Sequence, residues 1–122
     1  MKYLNILLFL LMIPFIGVQY NDPDGLMWAL IYLVPLAWIG LAAFRLQHIL
    51  SNRSFMLMGL SVAGMLILTV FYWPTTPGFW QKDVWWETET AREGMGMMIA
   101  SFVNIVAALS VWLARKKQAL SA

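Results

Sequence analysis

Four stretches of this chain, approximately residues 3–20, 26–44, 54–73 and 94–114, carry no charged side chain. A helix needs about 20 mostly apolar residues to cross a bilayer core of ~30 Å, and all four qualify, the first only just. Lipid offers no water to satisfy backbone N–H and C=O groups, so each segment must be helical. Composition agrees: 61% of the 122 residues are hydrophobic and 11% charged, against roughly 45–50% and 25% in a soluble domain. These features predict an all-α integral membrane protein, a four-helix bundle running up-down-up-down as one domain over residues 1–122. Its helices are expected at approximately 3–20, 26–44, 54–73 and 90–114, with an outer loop at 74–89.

Lys2 ahead of an apolar run could open a cleaved signal peptide, but Gly17-Val18-Gln19 puts a bulky amide where a small residue is needed. The first segment is therefore read as an anchor that stays. With no cysteine, disulfide frameworks and thiolate metal sites are excluded. Six of the eight basic residues (Lys2, Arg45, Arg53, Arg115, Lys116 and Lys117) fall on one side of the predicted spans. The positive-inside rule makes that side, and both termini, cytoplasmic. In a bacterium the membrane would be the inner one. All six acids, Asp22, Asp24, Asp83, Glu87, Glu89 and Glu93, fall on the outer side. Acidic residues contribute little to topology, so this separation needs another account.

The outer turn NDPDG and the inner loop RLQHILSNR are short, which predicts that neighbouring helices pack antiparallel. Small and polar residues mark packing faces: Gly96, Ala100, Asn104, Ala107 and Ala108 on the last helix, Asn5, Leu8, Met12, Phe15 and Gln19 on the first. Ser61 and Gly64 on the third and Trp28, Tyr32 and Pro35 on the second are expected to face inward as well. The tail RKKQALSA reads as a topology determinant beside anionic headgroups.

Two outer segments carry candidate chemistry. In QYNDPDG, Asp22 can serve as N-cap, Pro23 as first helical residue and Asp24 as a first-turn acid facing the helix dipole. A cap needs one such residue, yet Gln19, Asn21, Asp22 and Asp24 crowd together at a membrane boundary. In ETETARE, Thr90 and Glu93 fit a capping box. Alternatively the helix reaches back to about Trp85, and Glu89 and Glu93, four apart, point inward with Arg92 able to pair with Glu89. Both acid groups open helices that start at the outer surface, so Asp22, Asp24, Glu89 and Glu93 could ring one pocket mouth. Hard oxygen donors of this kind suit Ca²⁺, Mg²⁺ or Mn²⁺, or an organic amine, better than copper or haem, although the spacing is not that of a calcium loop.

Other features carry less. His48, the only histidine, falls on the cytoplasmic side, away from every acid, so neither zinc nor haem is expected. Met27, Met95, Met97 and Met98 are better gap-fillers than copper ligands. Trp73, Phe79, Trp80, Trp85 and Trp86 read first as an interfacial belt and second as a cover over the acids. No phosphate loop, nucleophile elbow or nucleic-acid motif is present.

Gln19, Asn21-Asp22-Pro23-Asp24, Trp28, Tyr32 and Pro35 form the pattern Q-x-N-D-P-D-x3-W-x3-Y-x2-P. It resembles the signature of the transmembrane protein 220 family, small four-helix membrane proteins of bacteria and animals. Glu89, Arg92, Glu93 and Gly96 supply a second match, E-x2-R-E-x2-G, before the last helix. The resemblance implies that the two acid-bearing segments belong to one pattern, and it brings no settled activity with it.

The leading functional reading is a non-enzymatic membrane protein with an outward acidic pocket for a cation or small polar ligand. Asp22, Asp24, Glu89 and Glu93 would supply charge, Gln19 and Asn21 neutral oxygens, Arg92 orientation, and Trp28 and Tyr32 the pocket floor. The alternatives are a membrane enzyme using a carboxylate base on a lipid or small amphiphile, and an accessory subunit docking on a larger membrane complex.

Overall fold

The computed structural model describes residues 1–21 and 23–121, without the side chains of Tyr20 and Asn21. Every regular element among them is helical: α1 (Lys2–Gly17), α2 (Gly25–Phe44), α3 (Asn52–Phe71), α4 (Lys82–Glu87) and α5 (Glu89–Ser121). Short 3₁₀ turns, Val18–Asn21 and Leu46–His48, follow α1 and α2. Helices α2, α3 and α5 are long and apolar enough to cross a membrane, while α1 is a shorter apolar helix of 16 residues.

Helix ends differ from the sequence reading in physically simple ways. α1 tightens into its 3₁₀ turn at Val18, four residues beyond Pro14, rather than continuing to residue 20. α3 starts early because the Ser51 hydroxyl caps it, accepting from the Ser54 N–H at 3.2 Å. α5 runs seven residues past Ala114 because Arg115, Lys116, Lys117, Gln118, Ala119 and Leu120 are good helix formers, so the basic tail is helical. The loop expected at 74–89 is not irregular throughout, since α4 lies within it.

α5 is the hub. It packs on α2 and α3, touches α1 and carries α4, while α1 packs chiefly on α2. Despite the short loop between them, α2 and α3 do not pack side by side; α3 docks on α5 instead. Polar groups explain this choice, because hydrogen bonds and small residues rather than hydrophobicity join helices in lipid. Asn104 Nδ2 donates to Ser61 Oγ at 3.0 Å, Ser101 Oγ donates to the Met65 carbonyl at 3.0 Å, and Thr69 Oγ1 lies 2.6 Å from Ser101 Oγ. α1 joins α5 through Asn5 and Ser110, whose side chains meet at 3.0 and 3.1 Å.

The expected inward stripes of α1, α2 and α5 are largely buried: Asn5, Leu8 and Met12, then Trp28, Tyr32 and Pro35, then Gly96, Ala100, Asn104 and Ala107. On α3 Ser61 faces α5, but Gly64 looks into open space, leaving α3 the least enclosed of the three long helices. The cross-helix contacts place all described acids at one end of the bundle. Lys2, Arg45, His48, Arg53 and Arg115 lie at the other.

Candidate functional site

At the acid end, α2 does not start as the sequence suggests. Asp24, not Asp22, occupies the N-cap position, and Pro23 lies outside the helix. The Asp24 side chain makes no capping bond; its Oδ2 accepts from the Trp28 indole Nε1–H, four residues on, at 3.1 Å. Trp28 is buried, so a ring fixed by the core positions the carboxylate. The turn before α2 is drawn tight against it. A Cβ on Gly25 would stand 1.9 Å from the Gln19 carbonyl oxygen, which only a glycine can permit. Gln19 Nε2 donates to the Phe15 carbonyl at 2.9 Å.

α5 begins at Glu89, between the two starts its sequence allows. A kink at Thr88, with ψ of 117°, separates it from α4. Thr90 does not build a capping box: its hydroxyl lies 3.3 Å from that of Thr76. Glu89 and Glu93 therefore share one face of the first turns of α5, and that face meets α2. One carboxylate oxygen from each of Asp24, Glu89 and Glu93 lies within 4.8 Å of the others. The convergence expected of the two acid-bearing helix starts is thus present for these three side chains. Asn21 and Asp22 lie outside the described side chains.

Glu93 stands one residue ahead of the apolar run that begins at Gly94 and is partly buried. Burial, then the neighbouring charge of Glu89 and then that of Asp24, push its carboxyl above the ordinary carboxylate value, and Arg92 pulls it partly back. Arg92 has a second commitment. Its Nη1 donates to the Trp86 carbonyl, which ties the end of α4 to α5 rather than bridging to Glu89.

Beneath the carboxylates lies an aromatic floor. Trp28 and Phe15 each pack at 5.7 Å from Tyr32. Tyr72, which no motif in the sequence singles out, closes the floor from the end of α3 at 4.9 Å from Trp28. Its signal was an amphipathic ring directly ahead of the helix-stopping Trp73-Pro74. Tyr32 reaches α5 at Gly96, the glycine of the second motif, where a Cβ would stand 2.1 Å from the hydroxyl oxygen. Tyr32 is 4% exposed. Trp73, Phe79 and Trp80 form an edge-to-face run between α3 and α4, and Trp73, Trp80 and Trp86 are exposed.

The family model described as Transmembrane family 220, helix, matches residues 9–109. The chain belongs to transmembrane family 220. All the residues of its acid-end site, from Phe15 to Gly96, fall within the matched span. So do the three long apolar helices through most of their length, which makes this member of transmembrane family 220 a multi-pass membrane protein in a lipid bilayer. Comparison with curated proteins and with solved structures gave no match.

Proposed function

We propose that this member of transmembrane family 220 is a non-enzymatic membrane protein that holds a compact cation between Asp24, Glu89 and Glu93 on the outer face of the membrane. The observation that carries the reading is the 4.8 Å grouping of three carboxylate oxygens drawn from two helices 65 residues apart in sequence. Oxygens on opposite sides of Ca²⁺ stand about 5 Å apart, and around Mg²⁺ about 4 Å. A grouping within 4.8 Å is therefore in the range from which the three carboxylates could close on either ion. Second carboxylate oxygens and water would complete its shell of about 6–8 donors. The aromatic floor is filled by its own rings, which favours a bare ion over an organic amine. Trp28 holds Asp24 in place, and Tyr32 supports the α5 side from below.

In this reading α1 with its 3₁₀ turn supplies a fourth span. The two together run from Lys2 to Asn21, about the length a bilayer crossing needs. Both termini are cytoplasmic, since the basic end of the bundle faces inward. In a bacterium the membrane is the inner one.

Thermal unfolding of the purified protein under Ca²⁺ titration tests the site. The midpoint rises with Ca²⁺ in the wild type and not in Asp24→Ala or Glu93→Ala. No rise with any divalent cation would remove the cation from the account.

A further inference from the structure

The basic end of the bundle holds a cavity that the acid site does not explain. It has a volume of about 240 Å³ and opens between the start of α1, the end of α2 and α5. Lys2, Asn5, Gln47 and Ser110 give it polar walls, and Ala42 and Ala43 leave the space that larger residues would fill. Asn5 and Ser110 are 2% and 4% exposed and bond to each other. That pairing uses one of the two N–H groups on Asn5 Nδ2; the other has no acceptor among the described residues.

Three properties define the occupant. The cavity is smaller than the ~300–1,000 Å³ of sites that enclose a whole soluble ligand. It therefore suits a headgroup whose remainder stays outside. Its charge is one-sided: Lys2 lines it, and exposed Arg45 follows Phe44 of its wall. Every described acid is at the far end of the helices. Phe44 and Leu46 of the same wall present apolar surface at the C-terminal end of α2. Basic pockets between transmembrane helices characteristically hold anionic lipid headgroups.

We propose that this cavity binds the headgroup of an anionic phospholipid. The phosphate is held by Lys2 and the free Asn5 N–H, with Gln47 at the rim and the acyl chains lying along Phe44. Lys2, Asn5 and Ser110 fall outside the span matched by the family, and the inference stands independently of the cation site.

Native mass spectrometry of the full chain, released from micelles containing equal phosphatidylglycerol and phosphatidylcholine, tests it. Phosphatidylglycerol should be retained preferentially, the preference falling roughly five-fold in Lys2→Gln and again with Arg45→Gln added. Ala43→Leu, which fills the cavity with an apolar side chain, should abolish the preference. The surface variants keep the test valid if Ala43→Leu fails to fold. Equal retention of the two lipids, or wild-type preference in Lys2→Gln/Arg45→Gln, would overturn the proposal. Displacement by millimolar inorganic phosphate would overturn it too, by assigning the cavity to a soluble anion.

Discussion

The Tyr32 hydroxyl occupies the space in which residue 96 would carry its side chain: a Cβ on Gly96 would lie 2.1 Å from that oxygen and 3.2 Å from Cζ. This contact sets how closely α2 and α5 approach just below the three carboxylates. Gly96→Ala should therefore cost about 1–3 kcal/mol by overpacking. Tyr32→Phe, which removes the oxygen and leaves the ring, should recover much of that loss. Unfolding of the two single variants and the double variant in detergent checks both statements.

Asn104 and Ser61 join α5 to α3 in the middle of the bundle, and Asn104 Oδ1 is buried with no partner among the described residues. Ser61→Ala would leave the Asn104 amide further unpaired and should cost about 1–3 kcal/mol. Ser61→Ala combined with Asn104→Leu removes both polar groups and should lie closer to the wild type than Ser61→Ala alone. A double-mutant cycle on unfolding free energies measures the difference.

A raised Glu93 carboxyl gives the metal-free protein a defined pH response. The folded state keeps that proton more tightly than the unfolded chain does. Its stabilising effect is complete below the ordinary carboxylate value and is lost as pH rises through the raised one. With a chelator present, the thermal midpoint should fall across that interval, and Glu93→Gln should flatten the fall. A midpoint that rises with pH over the same interval would mean Glu93 is held ionised.

Much of the architecture is legible in the sequence because lipid leaves the backbone so few choices. Charge-free runs locate the long helices, and the small and polar stripes of α1, α2 and α5 locate their buried faces. Pairing is less legible. Loop length suggests α2 beside α3, whereas the partners of Ser61 and Thr69 on α5 decide the matter, and no local pattern reveals which helix will present them. At the site, the acids that meet could be named from their helix starts, but the role of Asp24 could not. Capping propensity points to backbone N–H groups, and only the packed structure shows the Trp28 indole taking its carboxylate instead. The same is true of Arg92, which sequence spacing pairs with Glu89 and the fold gives to the Trp86 carbonyl.

Topology can be read directly because the chain has no cysteine of its own. Single cysteines at Thr76 and Gln118 should label from opposite sides of the membrane, Thr76 with an impermeant reagent on intact cells and Gln118 only after permeabilisation. Labelling of both from one side would break the four-span arrangement with its inward termini.

If Asp24, Glu89 and Glu93 together hold one compact cation, isothermal titration of Ca²⁺ into the metal-free protein in detergent will detect it. Binding should saturate at one ion per chain and be abolished in Asp24→Asn and in Glu89→Gln/Glu93→Gln, with Mg²⁺ binding more weakly. Absence of saturable heat, or wild-type binding in those variants, would contradict a cation held there.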